Sequence, residues 1–364
     1  MRIKQETHES LPEAASAASV QSAGIPAEMP ALQPELHANG AGGVPEEGLG
    51  LPPAANGGGR RPLGAVSPKG GTVTASGAGT GLFRLVATDL DGTLLRRDET
   101  ISQHTRQALR RVQETGAVVV LVSGRPARTL RLVAQHVGVT GLAICGNGSV
   151  IYDLEHDAIV QQATIAPELV KRLITQFREV LPGVSFAFES GEKISMEPAY
   201  FALRLRVPKV QPILGDALEF AQQPVAKLIV LHPDLGAEAL MEITRQIAGD
   251  TVSASHSGFA FVEITAPGVD KGRTLESLCA RLGIAASEVI AFGDMPNDLP
   301  MLAWAGRGVA MANAHPEVLR QAHEITLSNM QDGVAVVLER LLAENSIGAT
   351  MASEALKVAE DGQP

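Results

Sequence analysis

Asp89 and Asp91 stand two residues apart in Asp89-Leu90-Asp91-Gly92-Thr93-Leu94, directly after the apolar run FRLVAT (83–88). Two carboxylates leaving a strand end this way point into one loop, and Gly92 lets the backbone turn closely. Asp and Gly are common turn residues, so a surface turn is the plain alternative. A calcium loop is excluded, because it needs glycine at position six and here glycine is at position four. Three more polar signals share that placement. Ser123-Gly124-Arg125-Pro126 follows AVVVLV (117–122), offering a hydroxyl and free N–H groups at a helix start, a ready anion site. Lys271, in GVDKGRTLESLCARLG, opposes the helix macrodipole from its N-terminus, a placement that a bound anion would explain. Gly293-Asp294-Met295-Pro296-Asn297-Asp298 follows VIAF and ends an apolar run as Asp89 does.

Taken together, Asp89, Asp91, Asp294 and Asp298 converge at one crevice. Carboxylates packed so closely repel and raise one another's pKa unless a cation lies between them. Oxygen donors without a nearby His or Cys select a hard ion, Mg²⁺. A lysine, a hydroxyl and helix N–H groups beside such an ion form a phosphate cradle. A carboxylate beside a phosphate can serve as nucleophile through an aspartyl-phosphate. The residues therefore point to phosphoryl transfer. No G-x-x-x-x-G-K-[ST] loop is present, which removes P-loop nucleotide chemistry.

The elements that must position these groups read as α/β. Nearly continuous apolar runs at 83–88, 117–122, GLAIC (141–145), EVIAF (288–292) and GVAMA (308–312) fit parallel strands covered on both faces. Between the first two, TISQHTRQALRRVQETG places Ala108, Leu109 and Val112 on one face and stops at Gly116, a βαβ unit. A second helix is expected from Pro126 to Gly138. In doubly wound sheets of this kind, ligands bind at the carboxyl ends of the strands, where all four signals fall. The stretch 151–265 differs. It offers strand-like runs VSFAFE (184–189), AKLIVL (226–231) and FAFVEIT (259–265), separated by helical PELVKRLITQFREVL and LGAEALMEITRQIAG. It is expected to be an α+β domain inserted into a Rossmann-like core of residues 81–150 and 266–344. Residues 1–80 hold 14 Gly and 9 Pro and no aromatic residue, too little apolar surface to offset chain entropy. They are expected to be a disordered tail, and 345–364 a weakly patterned C-terminal tail.

Composition bounds the partners. With 40 acidic against 30 basic side chains, the 364-residue chain carries a formal charge of −10, which disfavours nucleic acid. Two cysteines, Cys145 and Cys279, exclude a disulfide scaffold and a thiolate zinc cluster. The longest apolar run, Ala117 to Val122, is far below the roughly 18 residues of a membrane span. The polar start MRIKQETHESLPEAAS shows no secretory signal, so a cytoplasmic enzyme acting on a small molecule is expected. A local basic cluster in FALRLRVPKV, Arg204 and Arg206 with Lys209 beside them, reads either as a solvated strand face or as a secondary anion contact.

These four segments, in this order, resemble the motifs of the haloacid dehalogenase-like superfamily of phosphohydrolases: DLDGTLL (89–95), VSGRP (122–126), Lys271 and GDMPNDLPML (293–302). The insert resembles the type IIB cap of the Cof-type branch, and the likeness spans about residues 82–342. It implies Asp89 as nucleophile and Asp91 as general acid and base. It implies Mg²⁺ held by the Asp89 side chain, the Asp91 carbonyl and Asp294, with Asp298 acting behind them or through water. Leu90, Asp91, Ser123, Gly124 and Lys271 would hold the phosphoryl group, with Asn297 near it. Asn147, in CGNGS (145–149), matches an Asn-Gly-Ala segment of the branch, while Ser149 departs from it. The implied activity is a Mg²⁺-dependent phosphatase for a small phosphorylated metabolite. A phosphosugar mutase with the same nucleophile, or a catalytically silent relative, would keep the same motifs.

Overall fold

The computed structural model describes residues 82–203 and 211–348. The expected tail 1–80, residues 349–364 of the expected C-terminal tail, and Arg204, Arg206 and Lys209 lie outside the described residues.

Strand β1 (Leu85–Thr88) is buried at every position, as a strand covered on both faces must be. Helix α1 (Gln103–Glu114) starts where the Ser102 side chain accepts the Thr105 N–H, and it buries Ala108, Leu109 and Val112. It returns the chain to β2 (Val118–Val122). Helix α2 (Ala127–Val137) has Pro126 in the capping position and ends at Gly138, whose φ of 83° is the left-handed conformation that glycine adopts freely. Then come β3 (Leu142–Cys145), β4 (Val150–Asp153) and β5 (Ala158–Gln162). Residues 151–162, expected in the insert, instead extend the core sheet: β4 runs antiparallel to β3, and β5 antiparallel to β4. The physical reason is the Gly146–Gly148 turn, which reverses the chain at once and leaves hairpin pairing as the nearest partner for Val150–Asp153.

The insert carries α3 (Pro167–Val180), β6 (Ser185–Ser190), β7 (Lys193–Met196), α4 (Pro198–Leu203), β8 (Ile213–Leu214), α5 (Ala217–Phe220), β9 (Lys227–Leu231), α6 (Ala237–Ala248), β10 (Ser253–Ser255) and β11 (Phe261–Thr265). Its sheet has the order β10-β11-β9-β6-β7-β8. The core resumes with α7 (Lys271–Leu282), β12 (Val289–Gly293), α8 (Leu299–Trp304), β13 (Arg307–Ala310), α9 (Pro316–Gln321), β14 (Glu324–Ile325) and α10 (Gly333–Ala343). Its eight strands run β14-β13-β12-β1-β2-β3-β4-β5, parallel from β14 to β3. The fold is thus a Rossmann-like α/β core with an α+β insertion.

The order of strands fixes the site. From β1 the chain builds outward through β2 and β3, and after the insertion it returns through β12 on the other side of β1. The crevice at the carboxyl end of β1 is the point where the order reverses, the usual ligand position in such sheets.

Candidate active site

Four loops converge at that crevice. Asp89 follows β1, and its N–H is tied to the Phe292 carbonyl of β12 at 3.0 Å. Gly92 turns the loop with φ +85°, and a Cβ there would sit 2.1 Å from Asp294 Oδ2. Only glycine allows this approach. Thr93 donates from Oγ1 to Asp294 Oδ1 at 3.0 Å, joining the first loop to the one after β12. Asp298 binds that loop to itself, its Oδ2 accepting the N–H groups of Asp294 and Met295, each at 3.0 Å. Glycine is again required at Gly293, where a Cβ would lie 2.5 Å from that of Asp298.

Lys271 enters from the start of α7, whose cap is Asp270, accepting the Arg273 N–H at 2.8 Å. Its Nζ lies 2.6 Å from Asp89 Oδ1 and 2.6 Å from Asp298 Oδ1. The lysine at this helix N-terminus thus has two protein carboxylates as partners. Asp89, Asp294 and Asp298 are all buried, each with one carboxylate oxygen within 4.8 Å of the others'. Three carboxylates face one ammonium. Burial pushes the Asp89 carboxyl up to about 7, Lys271 opposing and Asp298 adding to the rise. Burial, followed by the charges of Asp89 and Asp298, pushes Asp294 up to about 8. Burial would lower the Lys271 pKa, but Asp298 and Asp89 override it and hold the ammonium above its usual value. A divalent cation would relieve this excess of negative charge, and the all-oxygen donor set fits Mg²⁺.

Asp91 faces another way. Arg125 grips it, Nε donating to Oδ2 at 2.7 Å, and reaches Glu99 Oε1 at 3.1 Å. Ser123 is buried, its Oγ accepting the Arg125 N–H at 3.1 Å. The Gly124 carbonyl accepts from Lys227 of the insert at 2.7 Å. Asn297 donates to Asn147 Oδ1 at 3.1 Å, and Asn147 holds a left-handed φ of 56°. Leu90 is the one expected contact residue whose side chain packs into the hydrophobic core, so only its backbone is on offer to a ligand. The other expected residues gather within this crevice.

Arg125, although it lies inside the VSGRP motif, carries no expected role, and neither does Thr93. Arg128, Glu189, Lys227 and Glu263 likewise stand outside the motifs. Lys227 sits 3.0 Å from Glu189 and 2.7 Å from Glu263, all three buried. A charged residue within an apolar run was the available signal, since such a residue is almost never buried unless paired. Core and insert together enclose a cavity of about 330 Å³, lined by Asp89, Asp91, Ser123, Arg128, Glu263 and Asn297 among others. That volume suits a small molecule. No helix among the described residues is long and apolar enough to cross a membrane.

A family model described as haloacid dehalogenase-like hydrolase matches residues 86–338. The 5-amino-6-(5-phospho-D-ribitylamino)uracil phosphatase of Bacillus subtilis is 29% identical over 269 residues, 70% of this chain and 96% of its own length. The HMP-PP phosphatase of Yersinia enterocolitica is 27% identical over 266 residues, 72% of this chain and 96% of its own. Among solved structures, a haloacid dehalogenase-like hydrolase from Bacteroides thetaiotaomicron is 30% identical, with a TM-score of 0.58 over 71% of this chain and 99% of that one.

Proposed function

The chain belongs to the haloacid dehalogenase-like hydrolases, and from that premise we propose that it is a Mg²⁺-dependent phosphatase of a small phosphorylated metabolite. The observation that carries this reading is Lys271 held at 2.6 Å from Asp89 in a buried cluster of three carboxylates at the end of β1. The two curated relatives, both named phosphatases, support it.

Asp89 is the nucleophile. Its free carboxylate oxygen attacks phosphorus, the bond from phosphorus to the leaving oxygen breaks, and an aspartyl-phosphate forms on Asp89. Asp91 supplies the proton that the leaving oxygen takes up. In the second half-reaction Asp91 takes a proton from water, whose oxygen attacks phosphorus, and phosphate departs with the Asp89 carboxylate restored. Arg125 fixes the orientation of Asp91 for both transfers. Lys271 balances charge on Asp89, and with Ser123 it holds the transferring group. Asp89, Asp294 and the Asp91 carbonyl would hold Mg²⁺, while Asp298, occupied by Lys271 and two N–H groups, would orient these partners. The ion would supply positive charge against the phosphoryl oxygens as negative charge builds there.

The test is phosphate release from a panel of sugar phosphates, nucleotides and cofactor phosphates with Mg²⁺ present. Release that stops in excess EDTA and returns with Mg²⁺ is expected. Undiminished turnover in EDTA would remove the metal from the reading, and conversion to an isomer without phosphate release would make the enzyme a mutase.

A further inference from the structure

Successive residues of a strand point to opposite faces, so the sheet of the insert has two different surfaces. One carries Phe186, Phe188, Leu228, Val230, Val262 and Ile264, which pack with α3 and α6 as the core of the insert. The other carries Met196, Ile229 and Phe261 together with Glu189, Lys227 and Glu263, and all six line the cavity shared with Asp89. The register brings the charges together, Glu189 lying opposite Lys227 and Glu263 opposite Ile229. This face is an apolar surface interrupted by a compact ionic network.

The network is nearly saturated. Lys227 Nζ has Glu189, Glu263 and the Gly124 carbonyl as partners. Glu263 Oε2 also accepts from Ser257 at 3.1 Å, and Glu189 Oε1 accepts from Arg128 Nη2 at 3.2 Å. The exception is Arg128 Nη1, which is buried and has no hydrogen-bond partner. A buried donor left unpaired costs about 1–3 kcal/mol, so an acceptor brought by a ligand is favoured here. On the lining of the same cavity, the Phe259 and Phe261 rings lie parallel within 7°, their centroids 5.4 Å apart.

Building on the phosphatase reading, we infer that the leaving group of the substrate is a flat heterocyclic alcohol. Its ring face lies on Phe261 and Met196, and a ring acceptor takes the Arg128 Nη1 hydrogen. An open polyol fits poorly. It has no flat face to lay on Met196, Ile229 and Phe261, so that apolar wall stays unfilled. An aromatic ring presents apolar faces to the apolar wall and a polar edge to the Arg128 donor.

Four probes test this on the full-length enzyme with Mg²⁺. Acetyl phosphate carries no ring, benzyl phosphate a ring without an acceptor, pyridoxine 5′-phosphate a ring with acceptors, and glucose 6-phosphate a polyol. Pyridoxine 5′-phosphate is expected to exceed glucose 6-phosphate in kcat/KM by about tenfold or more, the scale on which a shaped pocket discriminates. Arg128→Ala is expected to lower the ratio of kcat/KM for pyridoxine 5′-phosphate over benzyl phosphate about tenfold, mainly through KM. Phe261→Ala is expected to lower both ring substrates relative to acetyl phosphate. Each ratio is taken on one preparation, so a partly unfolded variant does not distort it. Glucose 6-phosphate equal to or better than the ring substrates overturns the inference, and so does an unchanged ratio in Arg128→Ala. Failure of the wild type to hydrolyse acetyl phosphate overturns the phosphatase reading and this inference with it.

Discussion

Asp89 and Asp91 are two positions apart, yet they hold different cations: Lys271 sits on one and Arg125 on the other. That division predicts two distinguishable failures. Asp89→Asn is nearly isosteric but removes the charge needed to attack phosphorus and to bind the metal. We expect kcat to fall at least ~10³-fold, a barrier increase of roughly 4 kcal/mol. Asp91→Asn leaves the nucleophile and the backbone carbonyl in place and loses the proton transfer to the leaving oxygen. An aryl or acyl phosphate, whose leaving group needs little protonation, is therefore expected to release about one equivalent of leaving group per enzyme with Asp91→Asn, which then stalls for want of the base in the second half-reaction, and none with Asp89→Asn. The burst of leaving-group release from good and poor leaving groups checks this. Equal losses on both substrate types in both variants would require the two roles to be reassigned.

At the scale of elements, the chemistry depends on loops that fit one another without slack. Gly92 combines φ +85° with a would-be Cβ 2.1 Å from the Asp294 carboxylate. Gly92→Ala must push Asp294 or the Asp89 loop aside, and misplacement of about 1 Å at a reacting group can cost 10²-fold. We expect kcat to fall by about that factor, while chemical denaturation shows a loss of about 1–2 kcal/mol, the cost of a left-handed non-glycine residue. Activity within twofold of wild type would show that the loop yields easily. The same elements show what the sequence discloses and what it withholds. β1, β2, β3, β12 and β13 are legible because each is an apolar run that ends at a polar loop. β5 is not legible as a core strand, since all five of its residues are exposed and it holds its place by pairing with β4 alone. The motif residues could be gathered because strand ends of one parallel sheet must lie together. Glu189, Lys227 and Glu263 could not, since they belong to three strands of the other sheet and nothing local says which face meets the core. Arg125 was visible, but its partner depended on how the Asp91 side chain turns.

On the scale of the whole molecule, the buried carboxylates make stability depend on pH and on the metal together. Asp89 and Asp294 titrate near 7 and 8 when folded, against a usual value of 3.8. Between pH 4 and those values the folded state binds more protons than the unfolded one, so metal-free stability falls as pH rises. Lys271, held above its usual value, adds stability that is already complete below pH 10 and contributes no slope in this range. Asp157 and Asp216, held low by hydrogen bonds from Tyr152 and Arg178, lose their contribution only as pH drops towards their unfolded values, so measurements start at pH 5. His104, raised by its hydrogen bond to Glu339, adds a decline of the same sign but lies outside the carboxylate cluster. The part of the slope that Mg²⁺ abolishes is therefore the part owed to Asp89 and Asp294. In EDTA we expect Tm to be higher at pH 5 than at pH 8, with Mg²⁺ raising it at pH 8 and having little effect at pH 5, where protons compete for the same oxygens. Asp294→Asn removes one of the two groups, so it is expected to flatten the EDTA profile and to shrink the Mg²⁺ response. Calorimetric scans across pH 5 to 8 with and without Mg²⁺ measure both effects. An equal Mg²⁺ gain at every pH, in wild type and Asp294→Asn alike, would place the ion at some other site.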